Sequence, residues 1–225
     1  MAASIHYEEH KSLIEIRAHL VLYGHEATPE LAGAIESEIN HIYNEPHVQL
    51  MLRNQPTSVR FRVGVELVSL AQAQLMARYN TDFQYNFIRI EAENFLTRSF
   101  MGFGLGDNSG HWITSDQLGI STTAAHEFGH GLGLDHPQHP DFRGSGGPPP
   151  LMAARGSLVD SQYQWDPSAA AGAYGGTMKP HYRRLQRQEI IQILEGLTFE
   201  DTDTYLIGYI SNKIFDRLGR VLELT

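Results

Sequence analysis

Residues 126–136 read HEFGHGLGLDH. Side chains four apart on a helix share a face, so a helix carrying this stretch presents His126 and His130 side by side, with Glu127 next to them. Two imidazoles are too few for a hydrolytic zinc site, which takes three protein ligands and keeps a fourth position for water. Gly133 supplies what is missing. Glycine adopts a left-handed conformation at little cost, so the helix can end there and reverse, bringing His136 back as a third donor. With three neutral ligands the ion keeps its full charge and acidifies its water, and Glu127 is the carboxylate placed to take the proton. The pattern therefore predicts one catalytic Zn2+ held by His126, His130 and His136, with Glu127 as general base.

Working outward, Ser121 or Thr122 can cap this helix. Upstream, the apolar run Ile14–Tyr23 reads as a strand. Thr28-Pro29-Glu30 then opens a helix whose apolar face is Leu31, Ile35, Ile39 and Ile42 and which stops before Pro46. Strands are expected over Val59–Val68, Asn86–Ala92, Arg98–Phe103 and His111–Ser115, the last two separated by the turn GLGDNSG. Downstream, residues 137–150 hold five prolines and three glycines, and residues 168–176 are almost all Ala and Gly, so both read as loops. Pro180 introduces a final amphipathic helix with Leu185, Ile190, Ile193 and Leu194 on its apolar face. Asp216-Arg217-Leu218-Gly219 suits a tight turn, which favours a hairpin near the end. The expected organisation is a single domain over residues 1–200, an upper lobe of about 1–133 and a lower lobe of about 134–200, followed by a tail over residues 201–225.

Composition narrows the function classes. A net charge of -9, with no basic run longer than Arg183-Arg184, offers no stripe for a phosphate backbone, so nucleic acid is not an expected partner. No stretch approaches the roughly 18 apolar residues of a membrane span. The first twenty residues carry too many charges for a signal-peptide core. The absence of cysteine excludes thiolate ligands, disulfides and a cysteine nucleophile, and leaves the compartment open.

His126, Glu127, His130, Gly133 and His136 together match H-E-x-x-H-x-x-G-x-x-H, so the chain resembles the metzincin clan of zinc metallopeptidases. The wording HEFGHGLGLDH is similar to the matrixins, whereas Pro137 after the last histidine resembles the serralysins. The resemblance implies an α+β fold with a twisted, mostly parallel sheet, an antiparallel edge strand, an active-site helix and a loop-rich lower lobe ending in a helix. It implies a methionine turn under the metal, for which Leu151-Met152-Ala153 is the candidate and Met178 the weaker alternative. It also implies that the edge strand Arg98-Ser99-Phe100-Met101-Gly102-Phe103 holds a polypeptide substrate in extended form by strand addition. The plain alternative is an edge strand blunted by Arg98. Secretion is favoured by resemblance alone. Serralysins and astacins carry a tyrosine two residues after the turn methionine, but this chain has Ala154, so three histidines and water are the expected ligands. Matrixins also hold calcium and a structural zinc before this helix, but of comparable donors only Asp107, His111 and Asp116 stand there, so no second metal is expected. The implied activity is zinc-dependent endopeptidase. The alternatives are a module that keeps fold and metal without turnover, against which Glu127 argues, and a hydrolase of some other amide.

Overall fold

The apolar run near the N-terminus becomes the axis of a sheet in the computed structural model, which describes residues 2–200 and 202–222. β1 (Ala3–Glu8) and β2 (Leu13–Tyr23) pair antiparallel through a short link in which Ser12 has a φ of 48°. β2 is buried along most of its length on both faces, as a central strand must be. Thr28 caps α1 (Pro29–Asn44) by accepting the Leu31 N–H at 3.2 Å. α1 buries Ala32, Ile35, Ile39 and Ile42. A hairpin follows, β3 (Gln49–Leu52) and β4 (Gln55–Leu67), turning on Arg53 and Asn54, both at positive φ. Ser69 and Gln72 cap α2 (Leu70–Arg78) reciprocally. β5 (Tyr85–Glu91), β6 (Phe100–Met101) and β7 (Ser109–Ile113) lead into α3 (Thr123–Gly131).

The fold is α+β, and the sheet is mixed. Its order is β3-β4-β2-β5-β7-β6, with β2, β4, β5 and β7 mutually parallel. The expected single antiparallel edge is only part of the arrangement. β6 is antiparallel to β7 at one edge, β3 to β4 at the other, and β1 to the first half of β2. The reason is local: the turns at Ser12 and Arg53-Asn54 are too short for the crossover that a parallel connection needs. Beyond β3 the free edge of β4 is closed by α1. Asn44 bonds both backbone groups of Phe61, and Asn40 those of Val63, at 2.7–3.0 Å, standing in for a neighbouring strand.

β7 starts two residues earlier than the sequence suggests, and residues 114–116 turn into a 3-10 coil. β6 is only two residues long. The final helix is also shorter than expected. Pro180–Tyr182 forms an isolated turn, Arg183 is extended, and α4 (Arg187–Ile193) starts afresh behind a Gln186–Glu189 capping box. Leu185, Ile190, Ile193 and Leu194 are buried as their spacing predicts.

Residues 202–222 are integrated with the sheet. β8 (Thr204–Ile207) pairs with β1, and β9 (Ile214–Phe215) and β10 (Val221–Leu222) form a hairpin closed around Asp216–Gly219. Phe215 packs edge-on against Phe100 and stacks on Phe103, so the hairpin backs the β6 edge. Of the segment 201–225, Asp201 and residues 223–225 lie outside the described residues. No described helix is long and apolar enough to cross a membrane.

Candidate metal centre

α3 is built to be approached closely from below. A Cβ placed on Gly129 would lie 2.5 Å from the Met152 sulfur and 3.0 Å from the Tyr43 hydroxyl, so only glycine lets both pack against the helix. Met152 is buried under α3, while Met178 sits in a separate small cluster with Ala153 and Val159. At the N-terminus of α3, Thr122 at φ 66° makes no capping bond and the Ser121 hydroxyl accepts only the Thr123 N–H, at 3.3 Å. The cap comes from α1, where the buried Glu38 carboxylate accepts the Ala125 N–H at 3.0 Å.

At the other end Gly133, at φ 92°, closes a Schellman turn: its N–H bonds His130 O at 3.1 Å and that of Leu134 bonds Gly129 O at 3.0 Å. Nothing stands within 4 Å of a Cβ built on Gly133, so the requirement for glycine there is conformational rather than steric. This reversal brings the three expected ligands together. His136 Nε2 lies 3.2 Å from His126 Nε2 and 3.1 Å from His130 Nε2, and the three ligand atoms fall within 4.8 Å of one another. Nitrogens bonded tetrahedrally to one zinc at about 2.0–2.1 Å would stand about 3.3 Å apart.

The ring orientations are fixed from behind. His126 Nδ1 donates to Leu151 O at 2.8 Å and His130 Nδ1 donates to Leu134 O at 2.9 Å, which leaves each Nε2 as the bare lone pair. Burial lowers the pKa of all three, that of His130 to about 4 and that of His126 well below the usual imidazole range. All three are thus neutral and ready to ligate at pH 7. The group can hold a metal ion, and it is the only such group of histidines and carboxylates among the described residues. Asp135 orients the returning chain by accepting the His136 N–H at 2.7 Å.

The turn under the site is itself anchored. Glu189 of α4 accepts the N–H groups of Leu151 at 3.2 Å, Met152 at 2.8 Å and Gln186 at 2.8 Å. Leu151 O, the partner of His126, is therefore placed by a buried carboxylate from α4.

Glu127 faces a cleft of about 530 Å3 that also takes in the three histidines. Burial pushes its carboxyl up to about 7, opposed chiefly by the positive charge of Arg183. Arg98, Ser99, Phe100, Met101 and Gly102 line the same cleft; Phe103 instead stacks on Phe215 under Lys213. The Ser99 N–H is occupied by Asp116 at 2.7 Å, so the free edge is confined to the short β6. Ala154 also lines the cleft, and Arg155 closes it in an ion pair with Asp116. Behind Thr123 and Arg155 a smaller cavity of about 310 Å3 reaches Trp165, Met178 and His181. Tyr163 packs on Tyr182 and Tyr174 is fully exposed.

Asp107, His111 and Asp116 do not meet. Asp107 is buried and holds the turn by accepting the Phe103 and Ser109 N–H groups at 2.7 and 3.1 Å. His111 lies against Asn94 and Arg217 O, and Asp116 against Ser99 and Arg155. Glu38, Glu189 and Arg183 are the charged residues of this region that sequence reasoning missed.

No protein-family model matches the chain, and no curated protein matches it significantly.

Proposed function

We propose that the chain is a zinc-dependent endopeptidase of the metzincin type. The observation that carries this reading is the convergence of three neutral imidazoles, each Nε2 turned to one point, beside a buried carboxylate in an open cleft. A structural zinc site normally uses four protein ligands and has no use for Glu127. The methionine buried under α3 and the short antiparallel β6 bordering the cleft support the same architecture.

His126, His130 and His136 would hold the ion, which when bound would act as a Lewis acid towards the scissile carbonyl and make water more acidic. β6 would receive the substrate backbone in extended form through its free N–H and C=O groups. Glu127 would take the proton from the attacking water and return it to the leaving amine, so no covalent acyl-enzyme is needed. The Ala154 side chain has no donor atom, so it would add no fourth protein ligand.

The test uses purified, zinc-loaded protein with a library of amidated peptides, with and without a chelator. Wild type should bind about one zinc per chain. Glu127→Ala should keep the metal and lose at least about 100-fold in kcat. His130→Ala should lose the metal. Cleavage that is indifferent to Glu127→Ala, or zinc retained by His130→Ala, overturns the assignment.

A further inference from the structure

The cleft contains one charge that is neither hydrogen-bonded to nor ion-paired with the three histidines or the proposed base. Arg183 is 2% exposed yet lines the cleft beside Glu127 and Ala154. Its guanidinium makes no hydrogen bond or ion pair with any described residue, and its Nε is fully enclosed without a partner. Burial pulls its pKa down to about 10, so it remains cationic at neutral pH. A guanidinium is a planar fork of donors matched to a carboxylate, and an enclosed one without an acceptor is strongly disfavoured.

Its placement is fixed rather than accidental. Thr122, at the start of α3, donates its hydroxyl to Pro180 O at 2.7 Å, and the Arg183 N–H bonds the same carbonyl at 3.0 Å. The Arg184 N–H bonds Pro149 O at 2.9 Å, tying this segment to the methionine turn as well. Arg183 therefore enters between α3 and that turn with both neighbouring backbones held. Two further arginines border the cleft. Arg155 is spent on Asp116, and Arg98 stands next to Ser99, which is bonded to the same Asp116. The only acidic residues lining the cleft are Glu127 and Asp135, the latter turned to the His136 backbone. In a chain of net charge -9 this is a locally cationic pocket.

We infer that Arg183 is the anchor of a carboxylate subsite, so that the substrate is a polypeptide presenting a carboxylate next to the scissile bond. This deepens the peptidase reading and rests on it. The carboxylate has two sources, an Asp or Glu side chain or a free C-terminus, and both present the same two oxygens.

The experiment measures kcat/KM for zinc-loaded wild type, Arg183→Met and Arg183→Lys on matched peptides. One arm varies Asp against Asn and Glu against Gln at each position flanking the cleaved bond, with amidated C-termini. The other arm removes internal acids and compares free with amidated C-termini. Wild type should prefer the acid over its amide by about 10- to 100-fold at one position of one arm. In Arg183→Met that ratio should fall to near one, and Arg183→Lys should restore part of it. The arm that shows the preference identifies the source. A wild type that cleaves peptides without any such preference overturns the subsite while leaving the peptidase intact. A ratio unchanged in Arg183→Met, with both peptides slowed equally, overturns it too and assigns Arg183 to Glu127 alone.

A binding measurement separates this from failure of the peptidase reading. N-acetylglutamate amide should raise the Tm of zinc-loaded wild type, and N-acetylglutamine amide should not. The shift should vanish in Arg183→Met. A shift that persists in that variant means the carboxylate sits on the metal, and the subsite is then rejected whether or not peptides are cleaved.

Discussion

Arg89 and Arg183 are buried to the same degree, 3% and 2% exposed, in regions that treat the charge in opposite ways. Under the C-terminal hairpin, Arg89 meets Glu91 through Nε at 2.7 Å and a terminal nitrogen at 2.6 Å. It also donates to Phe215 O at 3.2 Å and lies over the Tyr23 ring. His25 Nδ1 meets both oxygens of the same carboxylate, at 3.0 and 3.1 Å. In the cleft Arg183 has none of this. Removing a charge from water costs several kcal/mol unless new partners replace the solvent, so the first region repays the cost within the fold and the second leaves it standing. Compensated burial marks a group that holds structure together. Uncompensated burial beside an open cleft marks one that meets its partner from outside.

The contrast breaks most directly in a pair of substitutions. Arg89→Met strands Glu91 in the interior and should cost about 3–5 kcal/mol. Arg183→Met breaks no hydrogen bond or ion pair and removes only the longer-range attraction of Glu127 and Glu38, so it should cost far less than Arg89→Met. Urea unfolding of the two variants measures both. An equal loss in each would show that Arg183 is held by the fold after all, and the distinction would disappear.

Glu189 sharpens the comparison with a carboxylate. It is buried behind the Leu151-Met152 turn and is satisfied like Arg89, through three backbone N–H groups. Burial still raises its pKa. Glu189→Ala leaves three enclosed donors without an acceptor and should cost about 2–4 kcal/mol. It should also weaken zinc binding, because Leu151 O would no longer be fixed against His126. Glu189→Gln keeps the acceptor oxygen and should lose less of both. Zinc titration of the folded variants decides the second claim; unchanged affinity in Glu189→Ala would mean that the turn holds its shape without the carboxylate.

What the sequence disclosed follows the range of the interactions. The helical spacing of His126 and His130, the reversal at Gly133, the cap at Thr28 and the apolar face of α1 are local, and each stands where its pattern puts it. The capping box Ser69–Gln72 is equally local and marks the start of α2. β8 could not be seen in this way, because its pairing reaches across about the whole chain, Ile207 with Ala3. β6 is likewise cut short by a distant residue: Asp116 takes the Ser99 N–H and the Ser99 hydroxyl takes the Ile113 N–H, so the ladder with β7 stops at Phe100. The charges are the hardest case. Glu38 and Glu189 lie in helices and Arg183 precedes a basic neighbour, Arg184, so in sequence all three read as solvated; only the packing around α3 and its turn encloses them.

Glu38 tests the comparison at its finest, since it is half compensated. One oxygen caps α3 through Ala125 and the other, Oε2, has no partner. Burial raises its pKa to about 7, against the backbone N–H groups at the start of α3, and the facing charge is Arg183. The folded chain therefore keeps a proton on Glu38 between the unfolded value near 4.5 and about 7, where the unfolded chain has lost it. More protons bound in the folded state means that stability falls as pH rises through that window and levels off above it. Glu38→Gln keeps the capping oxygen and has no proton to lose. Relative to wild type, the variant should thus gain stability from pH 5 to pH 8, by roughly 1–3 kcal/mol. Taking the difference cancels the opposite trend of the buried histidines, which destabilise the fold as they become charged at low pH. If the two stability curves run parallel across the window, Glu38 is ionised throughout, and the N-terminus of α3 then compensates its charge as completely as Glu91 compensates Arg89.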